Sequence, residues 1–214
     1  MDIDTASDFK EEFIRLAHQL LYWGYQDSRH KFNVNTEEDD ISQFIVMQIK
    51  YIIKYDTDLP KPYHRYSAHL QMPVTNTGRR GKKCQRIDIT IESCDKLRTY
   101  PEFICEAKRL HSSSHYVGDY AGKEGMGCFV NEEYAKEFTY AAMIGYLQSN
   151  DSDYWAGKLE KHLQHPNQAV LNTLSPFAQC TEPIVADLPQ EWTSQHNRLT
   201  LPPILLYHIF LDCS

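Results

Sequence analysis

The stretch Arg86–Leu110, RIDITIESCDKLRTYPEFICEAKRL, decides the fold. It holds two short apolar runs, and each carries acids at strand-like alternation. Successive side chains of a strand point to opposite faces, so Ile87, Ile89 and Ile91 share one face and Asp88, Thr90 and Glu92 the other. In the second run Phe103, Cys105 and Ala107 share a face, which leaves Ile104, Glu106 and Lys108 opposite, with Glu106 and Lys108 neighbours along it. Two strands are therefore predicted, each presenting a carboxylate on a polar face. A hairpin with a solvated outer face would alternate in the same way, so the pattern gains weight only from its surroundings.

Upstream, RRGKKCQR over residues 79–86 is basic without an acid and leads directly into Asp88. Arg79, Arg80, Lys82, Lys83 and Arg86 are candidate phosphate contacts, set against the alternative of a solvated basic turn. YSAHLQMPV before them reads as a strand. Earlier still, Thr36 is expected to cap a helix beginning EEDDISQFIVMQIKYIIKY, with Ile41, Phe44, Ile45, Ile49 and Ile52 inward and acids in the first turn, where they complement the helix dipole. Ser7 is expected to cap a first helix running to about Tyr25, with Phe9, Phe13, Leu16, Leu20 and Trp23 as its apolar stripe.

Downstream lies HSSSHYVGDYAGKEGMGCFV, residues 111–130. GDYAGKE has too short a spacing between its glycines for a P-loop and ends in Glu124 where a Ser or Thr is needed. The segment is expected to be a flexible crossover or lid that brings Lys123 to substrate. Asn131 is expected to cap a helix with Tyr134, Phe138, Ala141, Ala142 and Gly145 inward, and Ser152 another carrying Trp155, Leu159 and Leu163. ILLYHIFL, residues 204–211, reads as a strand buried on both faces. The class is α/β (α+β), a mixed central sheet flanked by helices.

Composition narrows the function. A chain of 214 residues, 42% apolar, supports one good core. Lys50 and Lys54 interrupt the most hydrophobic helix-like segment, and the N-terminal residues lack signal-peptide features. Cysteines at 84, 94, 105, 128, 180 and 213 form no CxxC pair, which predicts reduced thiols and a cytoplasmic protein. His162 and His165 lack a second ligand pair, so zinc is not expected. A net charge of −7 argues against a generic nucleic-acid coat. No G-x-S-x-G nucleophile motif occurs. Two carboxylates on adjacent strands, with a lysine two residues after the second, suit phosphodiester hydrolysis assisted by Mg²⁺, which prefers oxygen ligands.

An acid on one strand and acid-x-lysine on the next, after a basic turn and an acid-headed helix and before a further helix and a buried strand, resembles the PD-(D/E)XK nucleases, the restriction-endonuclease-like superfamily. The likeness covers about residues 36–211 as architecture. Ile87 stands where the motif name has proline, a position that varies in the superfamily. The resemblance implies a nuclease domain over 36–214 with residues 1–35 as a helical extension. It implies Mg²⁺ (or Mn²⁺) held by Asp88, Glu106, the Ala107 carbonyl and Glu38, with Glu37 next in line. It makes Asp88, Glu106, Lys108 and Glu38 the catalytic set, Lys108 orienting water or stabilising the transition state. The expected substrate is DNA ahead of RNA. The compact architecture is similar to effector nucleases of prokaryotic phage defence, which implies a regulatory protein partner or a homo-oligomer and no membrane partner. Two alternatives stand beside it: a noncatalytic nucleic-acid- or protein-binding subunit that keeps the fold, and an enzyme acting on another phosphate substrate such as a nucleotide.

Overall fold

The computed structural model describes residues 3–74, 86–94, 101–165, 171, 173–186, 188 and 191–214. Helices α1 (Ile3–Ser28) and α2 (Glu38–Tyr55) lead into strands β1 (Tyr66–Pro73), β2 (Arg86–Ser93) and β3 (Glu102–Leu110). Short helices α3 (Val117–Tyr120) and α4 (Met126–Val130) cross over to β4 (Tyr140–Leu147). Helix α5 (Ser152–Leu163), β5 (Thr173–Gln179), β6 (Glu191–His196) and β7 (Ile204–Asp212) complete the chain. The strands form one seven-stranded sheet in the order β1-β2-β3-β4-β7-β6-β5. β3, β4 and β7 run parallel, and every other neighbouring pair is antiparallel. This is the mixed sheet flanked by helices that the sequence predicts.

Alternation along the central strands divides the core into two layers. Tyr140, Ala142, Ile144 and Tyr146 of β4 join Ile209 and Leu211 of β7 in a cluster with α1 and α2. Ala141, Met143 and Leu147 join Ile204, Leu206 and Phe210 in a second cluster with α3, α4 and α5. Every residue of β4 is buried, as the middle strand of a parallel trio must be. Gly24 lets α1 approach α2, because a Cβ there would lie 2.6 Å from Ile49 Cγ1 and 2.8 Å from the Ile45 carbonyl oxygen.

Several expectations need correction. α1 begins at Ile3, so Ser7 lies inside the helix and does not cap it; Phe13, Leu16 and Leu20 are buried, Trp23 is half-buried and Phe9 is exposed. Glu37 holds the N-cap position of α2, while Thr36 closes the preceding turn by accepting from the Asn33 amide through Oγ1. Asp151, accepting from the Tyr154 amide, caps α5 one residue before Ser152. No helix starts at Asn131. YAAMIGYL is apolar at every position, so its period fits helix and strand alike, and pairing with β3 and β7 decides for strand. The glycine-rich segment packs Tyr120, Met126, Cys128 and Phe129 into the core, so it is an anchored crossover. Strands β5 and β6 escape sequence reading because they are short and polar. β5 is an edge strand that tolerates Pro176 and has an irregular register.

Candidate metal-binding active site

The site forms where β2 and β3 part. Their pairing runs from Glu92 opposite Glu102 to Ile89 opposite Cys105. Past that point the side chain of Asp88 takes over the ladder's role, its Oδ2 accepting from the Ala107 amide at 2.8 Å. The strand turns there: Ile89 and Ile91 pack with α1 and α2, whereas Ile87 joins the cluster on the other side of the sheet, against the single face expected for all three.

Alternation in β3 sends Glu106 and Lys108 to the same face, and the first turn of α2 supplies the third carboxylate. Lys108 Nζ lies 2.7 Å from Glu106 Oε1, 2.7 Å from the Ala107 carbonyl and 3.3 Å from Glu38 Oε1. Glu38 Oε2 accepts from the Arg109 amide at 2.9 Å, which ties the start of α2 to β3. Three acids and one ammonium thus share a pocket of low exposure. Burial pushes the Asp88 carboxyl up to about 6, opposed by Lys108 and the Ala107 amide. Burial and then the charge of Asp88 push Glu106 up to about 8, outweighing Lys108. Burial works against the Lys108 ammonium, but Glu106, Glu38 and Asp88 together prevail and raise its pKa.

The structure therefore brings Asp88, Glu106, Ala107, Lys108 and Glu38 together. Glu37 points elsewhere, paired with the Arg109 guanidinium at 2.7 Å, and Arg109 also reaches His115 Nε2 at 3.1 Å. Arg79, Arg80, Lys82 and Lys83 lie outside the described residues. Arg86 is exposed and donates to Gln71 Oε1 at 3.2 Å. Lys123 is exposed between α3 and α4, and its carbonyl accepts from Cys128 Sγ at 3.4 Å.

Sequence reasoning missed three neighbours. Arg109 follows Lys108 in the strand and so faces the α2 side. Tyr134 donates to the Arg86 carbonyl at 2.9 Å, and burial, then Glu106, raises its pKa. Burial and then Glu106 push the Cys128 thiol up to about 12. The chain places Cys128 and Tyr134 far from the strands that carry the acids, and no local pattern marks them.

The donor set is oxygen throughout and fits a hard divalent cation. Glu106 Oε2 is buried without a hydrogen-bond partner, a cost that a bound cation would remove. Among the described residues no three His, Cys, Asp or Glu side chains converge on one point as they stand. The Lys108 ammonium lies between Glu38, Glu106 and the Ala107 carbonyl. Comparison with protein-family models, curated proteins and solved structures finds no match to this chain. Among the described residues no helix is long and apolar enough to cross a membrane.

Proposed function

We propose that the chain is a metal-dependent nuclease of the PD-(D/E)XK type, hydrolysing phosphodiester bonds of DNA ahead of RNA. The observation that carries the reading is the lysine bridge: a cation already joins Glu38, Glu106 and the Ala107 carbonyl, beside Asp88 and an unpartnered Glu106 oxygen. Asp88, Glu106, the Ala107 carbonyl and Glu38 would hold Mg²⁺ or Mn²⁺. Such an ion polarises the scissile phosphate and makes water a competent nucleophile at neutral pH. Lys108, within reach of Glu106 and Glu38, would orient water or stabilise charge on the phosphate oxygens. Asp88, by accepting from the Ala107 amide, holds the β3 backbone between the two motif residues in place. The resemblance alone extends this to an effector subunit of prokaryotic phage defence.

The competing reading is a noncatalytic binding subunit, and the same bridge is its support, since an internal ammonium can serve as a permanent substitute for the ion. Plasmid, single-stranded DNA, RNA and nucleotides incubated with Mg²⁺ or Mn²⁺ separate the two. Cleavage is expected in wild type, with losses of orders of magnitude in Asp88→Asn and Glu106→Gln chains that keep wild-type circular dichroism. Lys108→Ala should retain Mn²⁺ binding by calorimetry while slowing turnover. Full activity in both acid variants would remove the catalytic assignment, and no cleavage of any substrate would leave the binding subunit.

A further inference from the structure

Helix α2 buries Ile41, Ile45, Ile49 and Ile52, and its opposite side is unusual for a solvated face. Met47, Tyr51 and Tyr55 are 56%, 58% and 56% exposed, successive members of one i, i+4 ridge. The two tyrosine rings lie 5.0 Å apart, and Gln43 leans its amide on Met47 Sδ at 3.9 Å. Exposed large side chains scattered singly need no explanation, but a contiguous ridge marks a contact surface.

The charges along this ridge say what covers it. The exposed acids Asp39 and Asp40 stand at the N-terminal end, and the exposed lysines Lys50 and Lys54 at the C-terminal end. Asp40 and Lys54 lie one heptad either side of Met47, about 20° to its left and right around the helix, and Gln43 and Tyr51 lie about 40° to either side. The face is therefore complementary to itself when turned end for end about Met47. An antiparallel copy would set Met47 on Met47, Gln43 on Tyr51 and Asp40 on Lys54, each of the last two contacts made twice, as a two-fold interface requires.

We infer that the outer face of α2 is a homodimer interface in which two α2 helices pair antiparallel about Met47. The surface stands apart from the cleavage chemistry, and its consequence for the site follows from position. Glu38 begins the same helix, so the dimer sets the two copies of Glu38 about 27 Å apart along the helix axis.

Sedimentation velocity on the full chain over a concentration series tests the dimer, and charge reversal tests its geometry. Wild type should dimerise in the micromolar range. Asp40→Lys or Lys54→Asp alone should weaken dimerisation on the order of tenfold or more, because two like-charge contacts replace two ion pairs. The double variant Asp40→Lys with Lys54→Asp should restore it. Met47→Cys should give an oxidised covalent dimer in a Cys84→Ser, Cys94→Ser background, whereas Tyr55→Cys in the same background should not, its copies lying about 24 Å apart along the axis. Asp40, Met47, Lys54 and Tyr55 are exposed, so folding is preserved and checked by circular dichroism. A chain that stays monomeric up to about 100 μM overturns the inference. So does a dimer in which the double variant is no better than the single ones, or in which Tyr55→Cys links as readily as Met47→Cys.

Discussion

At Glu106 the protein buries a carboxyl group, 5% exposed, beside Asp88 and leaves one of its oxygens without a partner. Ionised there, Glu106 is destabilising to the fold, and the sign of the effect with pH is fixed by the direction of the shift. Glu106 is raised from 4.5 to about 8 in the folded chain. Its contribution is fully present below about pH 4.5, where it is protonated folded or unfolded, and is lost progressively as pH rises to about 8. Glu106→Gln keeps the shape and removes the ionisation. In chelator, its melting temperature should match wild type near pH 5 and exceed it by a margin that grows to about pH 8 and then levels off. Parallel melting curves for the two proteins across that range would show that Glu106 titrates normally. Much of this site is legible from sequence. Alternation alone sets Glu106 beside Lys108 in β3, but in β2 it fails at Asp88, where Ile87 leaves the face of Ile89 and Ile91. Glu38 is not readable from local pattern, because first-turn acids are common dipole complements, and only the fold brings α2 to the Arg109 amide. Which of Glu37 and Glu38 enters the site is likewise decided by Arg109, whose guanidinium draws Glu37 away.

Between elements, a chain of buried polar groups joins α3 to β7, β6 and Leu171. His196 Nδ1 lies 2.7 Å from the Leu171 carbonyl, which can only accept, so Nδ1 carries the hydrogen and Nε2 accepts from the Ser194 hydroxyl at 2.7 Å. Ser194 has then given its one proton, so His208 Nε2 must donate to Ser194 at 2.7 Å, which leaves His208 Nδ1 an acceptor that shares the single Tyr120 hydroxyl proton with the Met143 carbonyl, each 3.0 Å away. Both rings stay neutral: burial, reinforced by His196, holds His208 down at about 3, and burial lowers His196. Ser194→Ala would strand a donor and an acceptor in the dry interior. Urea denaturation should show a loss of about 2–4 kcal/mol, larger than for Tyr120→Phe, which leaves one nitrogen unpaired while the Met143 carbonyl keeps its ladder setting. An equal or smaller loss for Ser194→Ala would mean that water enters and repairs the chain. Nothing in the sequence announces this network, because Ser194, His196 and His208 lie 74 or more positions from Tyr120 and become neighbours only when β6 joins β7. β4 is ambiguous in sequence for a related reason: Tyr140–Leu147 is apolar throughout, so period carries no information and only the strands on either side do. α2 and β7 were readable because one has a single apolar stripe of helical period and the other is a short unbroken apolar run.

On the scale of the whole molecule, the proposed nuclease activity and the proposed dimer bear on the same step. A net charge of −7 repels a polyanion, so encounter with DNA depends on local basic surface, and Arg79, Arg80, Lys82, Lys83 and Arg86 are the densest run in the chain. If these residues contact phosphates, each contact removed by substitution to Gln should reduce the slope of log affinity against log salt by about 0.9 for duplex DNA, with binding to all sequences weakened alike. An unchanged slope would make the run a solvated turn. One basic run on an acidic chain gives weak binding at physiological salt, and doubling it by dimerisation is the cheapest remedy, since two runs held in one particle engage the same duplex at high effective concentration. Cleavage should therefore be low for dilute purified chain at physiological salt, and the rate per chain should rise with protein concentration until the dimer saturates. Asp40→Lys should shift that rise to higher concentration without altering the plateau, because Asp40 lies on the outer face of α2 while the acids that would hold the ion lie inward. Light scattering recorded alongside the cleavage assay fixes the oligomeric state at each point. A monomer that degrades DNA rapidly at physiological salt, with a rate per chain independent of concentration, would show that one copy of the basic run suffices and that neither dimer nor partner controls cleavage.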